Sequence, residues 1–116
     1  MAETSLLVED EEKRARMVEL ELRYEDYEVE KAFDGRTGLE RALSGSFDLV
    51  LLDLMLPGLT GEEFITRIRR GRTMPIIVLS AKAGLEDKVN VLRLGADDFI
   101  PKPFDNLEVL ARVEAQ

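Results

Sequence analysis

The sequence predicts an α/β fold in which five parallel strands form a doubly wound sheet with helices on both faces. Three short apolar runs are continuous rather than alternating, as expected for strands covered on both sides, and they occupy residues 6–8, 49–52 and 76–79. A helical pattern follows each run. Alternating strands and helices with short connections require right-handed crossovers, which produce parallel pairing.

Two weaker strands complete the predicted sheet. They cover residues 28–32 and 98–101, where polar side chains interrupt the apolar pattern. This polar content, together with Pro101, suits the two edges of the sheet, because a lost backbone donor is tolerated there.

Capping residues mark the starts of two helices. Thr60 with Glu63, and Asp105 with Glu108, have the spacing of a capping box, in which side chains satisfy the N–H groups of the first turn. We therefore expect one helix to begin directly after Thr60 and another directly after Asp105.

The other helices are predicted from periodicity. The first contains an apolar stripe at helical spacing: Ala15, Val18 and Leu22. The second is predicted over residues 35–44, and the fourth over residues 86–94 with Gly95 as the residue that ends it. The fifth is expected to reach the chain end.

The composition limits both the class of protein and its chemistry. The 116 residues suffice for one domain, and 45% hydrophobic with 34% charged residues is typical of a globular protein in water. Cysteine and histidine are absent, which excludes disulfides, zinc sites built on those residues and a histidine base. The net charge of −8 disfavours direct binding of nucleic acid, which depends on lysine and arginine. No apolar run approaches the roughly 20 residues that span a bilayer, and no signal-peptide pattern is present, so we expect a cytoplasmic protein without a membrane segment.

Reactive side chains follow four of the predicted strands. Glu9 and Asp10 come after the first, Asp53 after the third, Ser80 after the fourth and Lys102 after the fifth. The carboxyl ends of parallel strands meet at one edge of a sheet, where ligands bind in such folds. Each residue alone has an ordinary explanation, such as a helix cap or a loop serine. Their combination indicates a site.

The residue types at this edge point to phosphate chemistry. Three converging carboxylates repel one another and need a cation, and oxygen ligands favour Mg²⁺ or Ca²⁺. A lysine opposite them binds phosphate as a point charge, and an aspartate can carry a phosphoryl group as a covalent intermediate. Asp53 is then the expected nucleophile, with Ser80 donating to a phosphoryl oxygen.

Four motifs carry a resemblance that covers essentially the whole chain. They are Glu9-Asp10 after the first strand, LLDLMLPG over residues 51–58, VLSA over residues 78–81 and GADDFIPKPF over residues 95–104. Together they closely resemble the receiver domain of bacterial two-component response regulators. The resemblance implies a flavodoxin-like sheet with strand order 2-1-3-4-5.

The resemblance also implies the roles of the site residues. Asp53 would accept a phosphoryl group from the phosphohistidine of a sensor histidine kinase. Asp10, Asp53 and the backbone carbonyl of Met55 would ligate Mg²⁺, for which Mn²⁺ can substitute, and Glu9 would act through water. The domain would be no enzyme toward other substrates, because it catalyses only its own aspartyl phosphorylation and dephosphorylation.

The implied response begins beside the phosphoryl group. Ser80 and Lys102 would bind phosphoryl oxygens, and the peptide bond between Lys102 and Pro103 would be cis. Ser80 would shift toward the new oxygens, and Phe99 would swing into the space that this movement opens. A static core residue is the alternative reading of Phe99.

The segment from Lys88 to Arg112 resembles the subclass whose receivers form a homodimer through helix 4, strand 5 and helix 5. Lys88 with Glu108, and Asp97 or Asp98 with Arg112, would be the intermolecular pairs, whereas the alternative is an ordinary solvated charged face. In this subclass the dimer brings winged-helix DNA-binding domains together. We therefore expect residues 1–116 to be a single receiver domain forming the N-terminal part of a longer DNA-binding regulator, with a stand-alone receiver as the alternative.

Several residues depart from the family pattern. Glu9 replaces the more usual aspartate, Phe99 lacks the hydroxyl of a tyrosine found in many relatives, and Arg14 stands where relatives often place an apolar residue. Met55 and Lys82 occupy positions that in the family tune the access of hydrolytic water. Their long side chains lead us to expect slow loss of the phosphoryl group.

Three other classes of protein compete with this interpretation. A phosphatase of the haloacid dehalogenase type needs a second aspartate two positions after Asp53, where Met55 stands. A flavodoxin-like electron carrier needs a phosphate cradle after the first strand, where residues 9–12 are all acidic. An interaction module that works without phosphorylation is the remaining alternative.

Overall fold

Strands and helices alternate along the described part of the chain. The computed structural model describes residues 3–116. The elements in chain order are β1 (Thr4–Val8), α1 (Glu12–Tyr24), β2 (Glu28–Ala32), α2 (Gly35–Ser44), β3 (Leu49–Asp53), α3 (Gly61–Ile68), β4 (Ile76–Ser80), α4 (Leu85–Leu94), β5 (Asp98–Pro101) and α5 (Asn106–Glu114). None of the helices within residues 3–116 is long and apolar enough to cross a membrane.

The five strands form one parallel sheet in the order β2-β1-β3-β4-β5, which confirms the expected topology and the edge positions of β2 and β5. Asp53 lies opposite Leu79, and Ser80 lies opposite Pro101. The last residues of the central strands therefore stand at neighbouring positions along one edge of the sheet.

Side chains of the central strands alternate between two apolar layers. On one face Leu6 and Val8 pack with residues of α2, α3 and α4, such as Phe64. On the other face Leu7 packs with residues of α1 and α5, such as Val109. The central strands are thus buried on both sides, which is why their sequences are continuously apolar.

The predicted helix positions are largely confirmed, with small differences at the ends. The apolar stripe of α1, Ala15, Val18 and Leu22, is buried as expected. Helix α4 begins at Leu85, one residue earlier than predicted, and α5 ends at Glu114, short of the chain end.

The two expected capping boxes are only half formed. The Thr60 hydroxyl accepts from the Glu63 N–H at 3.2 Å, but the Glu63 carboxylate pairs with Arg67 on the next turn, at 3.7 Å. The Asp105 carboxylate accepts from the N–H of Leu107 at 2.8 Å, one residue earlier than predicted. Both helices nevertheless begin where the capping residues indicated.

Candidate functional site

Predicted side chains from four strand ends meet at the carboxyl edge of the sheet. Glu9 follows β1, Asp53 ends β3, Ser80 ends β4 and Lys102 follows β5. The Lys102 Nζ donates to Asp53 Oδ2 at 2.8 Å and to Glu9 Oε1 at 2.9 Å. In this geometry the lysine faces the acidic side chains.

Lys102 is held at the edge of the sheet by its backbone. Its N–H donates to the carbonyl of Ser80 at 2.8 Å, which continues the pairing of β4 with β5 beyond the last strand residue. The peptide bond from Lys102 to Pro103 is cis, as the resemblance implied.

The three carboxylates form a cluster that fits a hard divalent cation. Glu9, Asp10 and Asp53 each offer one oxygen, and these oxygens lie within 4.8 Å of one another. Glu9 and Asp53 are only 1% and 5% exposed, whereas Asp10 is exposed. A set of oxygen donors with one side open to water suits Mg²⁺, which keeps several of its waters.

Of the three carboxylates, Glu9 accepts the most hydrogen bonds. Its Oε1 accepts from Lys102 and also from Arg14 Nη1 at 3.3 Å, and its Oε2 accepts from the Glu11 N–H at 3.2 Å. Burial by itself raises the pKa of Glu9, but the Lys102 hydrogen bond and the other two donors outweigh burial and lower that pKa below its usual value. Glu9 is therefore ionised at neutral pH.

For Asp53, the effect of burial on the pKa is larger than the effect of the hydrogen bonds. Burial raises its pKa above the usual value, because the hydrogen bonds from Lys102 and from the Met55 N–H, the latter at 3.1 Å, offset the loss of solvation only in part. A divalent cation in the cluster would favour the ionised form of Asp53, which is the form that can act as a nucleophile.

Ser80 and Met55 complete the edge of the cluster. Ser80 is fully buried, and its Oγ accepts from the Lys82 N–H at 3.0 Å, which leaves the hydroxyl hydrogen as its donor group. The Met55 side chain is 63% exposed at the rim, while its backbone approaches Asp53. Lys82 lies on the same rim, with its Nζ 3.7 Å from Glu62 and 3.6 Å from Asp87.

Phe99 is inside the protein rather than at its surface. It lies on β5 opposite Val78, and only 8% of it is exposed. The Lys88 Nζ is 5.8 Å from the centre of the ring, which is within the range of a cation–π interaction between α4 and β5. The predicted swing of Phe99 stays a prediction.

Asp97, Asp98 and Arg112, which were predicted to pair between molecules, make ion pairs inside this chain. Arg112 Nη1 lies 3.1 Å from Asp98 Oδ2. The Asp97 Oδ2 accepts from Arg69 Nη2 and from the Ile76 N–H, both at 2.8 Å. Asp97 therefore links α3 to the starts of β4 and β5 within one molecule.

The other predicted dimer pair is not brought together within the chain. Lys88 lies over the Phe99 ring, whereas Glu108 lies 4.0 Å from Arg112, one turn away on α5. The pairing of these two side chains between molecules stays a prediction.

Sequence reasoning missed two contacts, that of Arg14 with Glu9 in the site and that of Arg69 with Asp97 at the opposite edge of the sheet. Arg14 was treated only as a departure from the apolar pattern of α1, yet it reaches Glu9. Its position on the first turn, five residues after Glu9, was the available signal. The bond from Arg69 to Asp97 spans 28 residues and left no local signal.

Comparison with known proteins shows the family to which this chain belongs. The family model for the response regulator receiver domain matches residues 6–114, and the chain belongs to this family. Response regulator ArlR of Staphylococcus saprophyticus is 54% identical over 110 residues, which are 95% of this chain and 50% of that protein. The chain therefore spans about half the length of the curated relatives that it matches.

Solved structures share the fold over nearly the whole chain. The receiver domain of the Francisella response regulator 1452 aligns with a TM-score of 0.94 and 29% identity, covering 97% of this chain and 94% of that one. The receiver domain of the sensor histidine kinase PA1611 of Pseudomonas aeruginosa aligns with a TM-score of 0.90 and 33% identity, covering 99% of this chain and 97% of that one. That structure holds a magnesium ion in its active site cleft.

Proposed function

We propose that the chain is a phosphorylation-dependent signalling switch in which Asp53 accepts a phosphoryl group from a sensor histidine kinase. The observation that carries this proposal is the Lys102 ammonium, which contacts Asp53 and Glu9 together inside a cluster of three carboxylates. A cation fixed beside a nucleophilic carboxylate, with further carboxylates for a metal ion, is what phosphoryl transfer needs.

The side chains divide the chemistry between them. An Asp53 oxygen forms a bond to phosphorus while the bond from phosphorus to the imidazole nitrogen of the kinase breaks, and the imidazole leaves with the electron pair. Lys102 binds a phosphoryl oxygen by its charge, and Ser80 donates its hydroxyl hydrogen to another. The Met55 N–H, 3.1 Å from Asp53 Oδ1, helps to hold the carboxylate in place.

The metal ion in this proposal is Mg²⁺, and Mn²⁺ substitutes for it. Asp10, Asp53 and the Met55 carbonyl would hold it directly, with Glu9 acting through water. When bound, the ion would offset the charges of the carboxylates and of the phosphoryl oxygens. The exposed position of Asp10 supports this assignment, because it leaves the cluster open to solvent on one side.

The output is a change of shape and not a reaction on another substrate. The chain catalyses only its own phosphorylation and dephosphorylation, in the cytoplasm. Ser80 and Phe99 carry the change from the site to the surface formed by α4, β5 and α5. The contact between Lys88 and the Phe99 ring supports this route, since it already connects the interior of β5 to α4.

That surface is the proposed homodimer interface. It carries exposed apolar side chains, namely Leu85, Val89, Leu92 and Leu107. The charged residues Lys88, Asp98, Glu108 and Arg112 lie on the same three elements, and Asp97 directly precedes β5. Apolar side chains together with charged ones suit contact with a second copy of the chain.

The chain would be the receiver half of a longer regulator. Its ArlR relatives are about twice as long, which supports a second domain after this one. We propose that this domain is a winged-helix DNA-binding domain, so that the receiver itself touches no nucleic acid. A stand-alone receiver, or an interaction module that works without phosphorylation, is the alternative.

Intact mass spectrometry tests the central step. The chain is incubated with acetyl phosphate and Mg²⁺, and we expect the mass of one phosphoryl group to be added to the wild type and not to Asp53→Asn. Asp26→Asn is the matched control, because Asp26 lies at the opposite edge of the sheet and its φ of 68° is one that asparagine tolerates. An adduct on Asp53→Asn, or none on the wild type, would contradict the proposal.

A further inference from the structure

Arg14 is a second cation beside the carboxylate cluster. Its Nη1 lies 3.3 Å from Glu9 Oε1, the same oxygen that Lys102 Nζ contacts at 2.9 Å. The Arg14 side chain is 40% exposed, whereas that of Lys102 is 9% exposed. Two positive groups therefore share one oxygen, one from the interior and one from the solvent side.

The start of α1 holds Arg14 in this position. Glu11 caps the helix, and its carboxylate accepts from the Lys13 N–H at 3.1 Å and from the Arg14 N–H at 2.8 Å. The Glu11 N–H in turn donates to Glu9 Oε2. Glu9 is thus tied to the first turn of α1 through the backbone as well as through the guanidinium.

We propose that Arg14 is a positioning residue that acts through Glu9 to shift the site's preference from divalent cation toward phosphoryl group. This inference rests on the proposed function, since it concerns the same Mg²⁺ and the same phosphoryl group. Arg14 lowers the affinity for the cation and raises the affinity for the anion.

The charges around the cluster give the reason. Lys102 and Arg14 together leave one net negative charge on the three carboxylates, whereas without Arg14 two would remain. A more negative cluster attracts Mg²⁺ more strongly and repels a phosphoryl group more strongly. Removal of Arg14 therefore changes the two affinities in opposite directions.

Arg14 also allows Lys102 to move from Glu9 toward a phosphoryl group. In the structure Lys102 compensates Glu9 and Asp53 at once. A phosphoryl group on Asp53 draws the Lys102 ammonium toward its oxygens, and Glu9, which is buried, then depends on Arg14 and the Glu11 N–H. Without Arg14 this movement would leave a poorly compensated buried carboxylate, which opposes binding of the anion.

Calorimetric titration of the whole chain separates the two effects. We expect Arg14→Leu to bind Mg²⁺ about three to ten times more tightly than the wild type. At saturating Mg²⁺ we expect it to bind beryllofluoride, a mimic of the phosphoryl group, about three to ten times more weakly. Arg14→Lys keeps the charge and should restore both affinities toward those of the wild type. Leucine is a good helix former, so α1 is retained.

Arg16→Leu is the matched control, because it removes the same charge from the same helix. The Arg16 guanidinium contacts Glu19, at 3.1 Å, rather than Glu9. We expect this variant to change neither affinity by more than about twofold. An equal change in Arg16→Leu would overturn the inference in favour of an effect of overall charge.

Two further outcomes would overturn the role of Arg14. The first is an unchanged Mg²⁺ affinity in Arg14→Leu. The second is a loss of affinity for both ligands together, which would indicate a merely structural role. Neither result touches the proposed function if Asp53 still gains its phosphoryl group, whereas a wild type that binds no Mg²⁺ would remove the basis of both proposals.

Discussion

At the scale of single residues, Lys102 is the side chain on which the site depends. It is nearly buried, and its ammonium is shared by two carboxylates that are themselves buried. A buried charge that loses its partner costs more free energy than the pair contributes when intact. Lys102 therefore stabilises the unligated fold, in addition to its proposed role in binding a phosphoryl group.

We predict that Lys102→Met lowers the free energy of unfolding by about 1–3 kcal/mol at pH 7 without Mg²⁺, because Glu9 and Asp53 lose the cation between them. Urea unfolding measures this loss. Millimolar Mg²⁺ should restore much of the lost free energy of unfolding, since a ligand that binds only the folded state stabilises that state. Lys13→Met, at an exposed position on α1, is the control and should change stability by less than about 0.5 kcal/mol. Equal losses in the two variants would contradict the prediction.

At the scale of the elements, an ion-pair network connects α1 to β2. Glu19 is 5% exposed, and its carboxylate contacts Arg16 and Arg23 on its own helix and Lys31 on β2, at distances of 2.9 to 3.1 Å. Burial by itself raises the pKa of Glu19, but the hydrogen bonds from the three cations outweigh it and lower that pKa. The network therefore stabilises the fold only while Glu19 is ionised.

The lowered pKa makes this stabilisation depend on pH. A carboxylate whose pKa is lower in the folded than in the unfolded state contributes stability above its unfolded pKa, and that contribution is lost as the pH falls through the folded pKa. We predict that Glu19→Gln lowers the free energy of unfolding by about 1–2 kcal/mol at pH 7. The difference from the wild type should shrink below about pH 4.5.

Urea unfolding from pH 7 to pH 3 tests this prediction. Glu21→Gln is the control on the same helix, two residues further along. A loss in Glu19→Gln that stays constant across this pH range would show that the network does not act through the charge of Glu19.

The strands show how much could be predicted from local pattern. The continuous apolar sequence of β3 reflects burial on both faces, and the end of that run placed Asp53 at the edge of the sheet. Because parallel strand ends meet at one edge, Glu9, Ser80 and Lys102 could be placed beside it from the order of elements alone. Both inferences use periodicity and topology, which the sequence carries locally.

Contacts between elements could not be predicted in the same way. The burial of Glu19 depends on Lys31 from the neighbouring strand, and Asp97 pairs with Arg69, the residue that directly follows α3. A long flexible side chain can contact several alternative partners at a similar free energy. The packing around it, rather than the spacing along the chain, therefore decides which partner it contacts. The contact of Arg14 with Glu9 differs, because the position of Arg14 on the first turn of α1 was a local signal for it.

At the scale of the whole molecule, the site and the proposed dimer surface are connected through β5. Lys102 directly follows this strand, Phe99 lies within it, and Asp98 begins it and pairs with Arg112 on α5. Lys88 contacts the Phe99 ring from α4. On α4 the residues Leu85, Lys88 and Leu92 recur at helical spacing, so they share one face of the helix, on which Leu85 and Leu92 are exposed. A movement at the end of β5 therefore reaches this face through direct contacts.

This connection leads us to predict that a mimic of the phosphoryl group drives dimerisation through the apolar part of that surface. In sedimentation velocity with Mg²⁺ and beryllofluoride, the wild type should shift from monomer to dimer, whereas Leu92→Glu should stay monomeric because it places a charge among apolar side chains. Leu43→Glu is the matched control: Leu43 on α2 is 43% exposed and Leu92 is 46% exposed, but α2 packs against β1 and β2, toward the edge of the sheet opposite β5. Dimerisation of Leu92→Glu to the same extent as Leu43→Glu would mean that the chain responds through another surface.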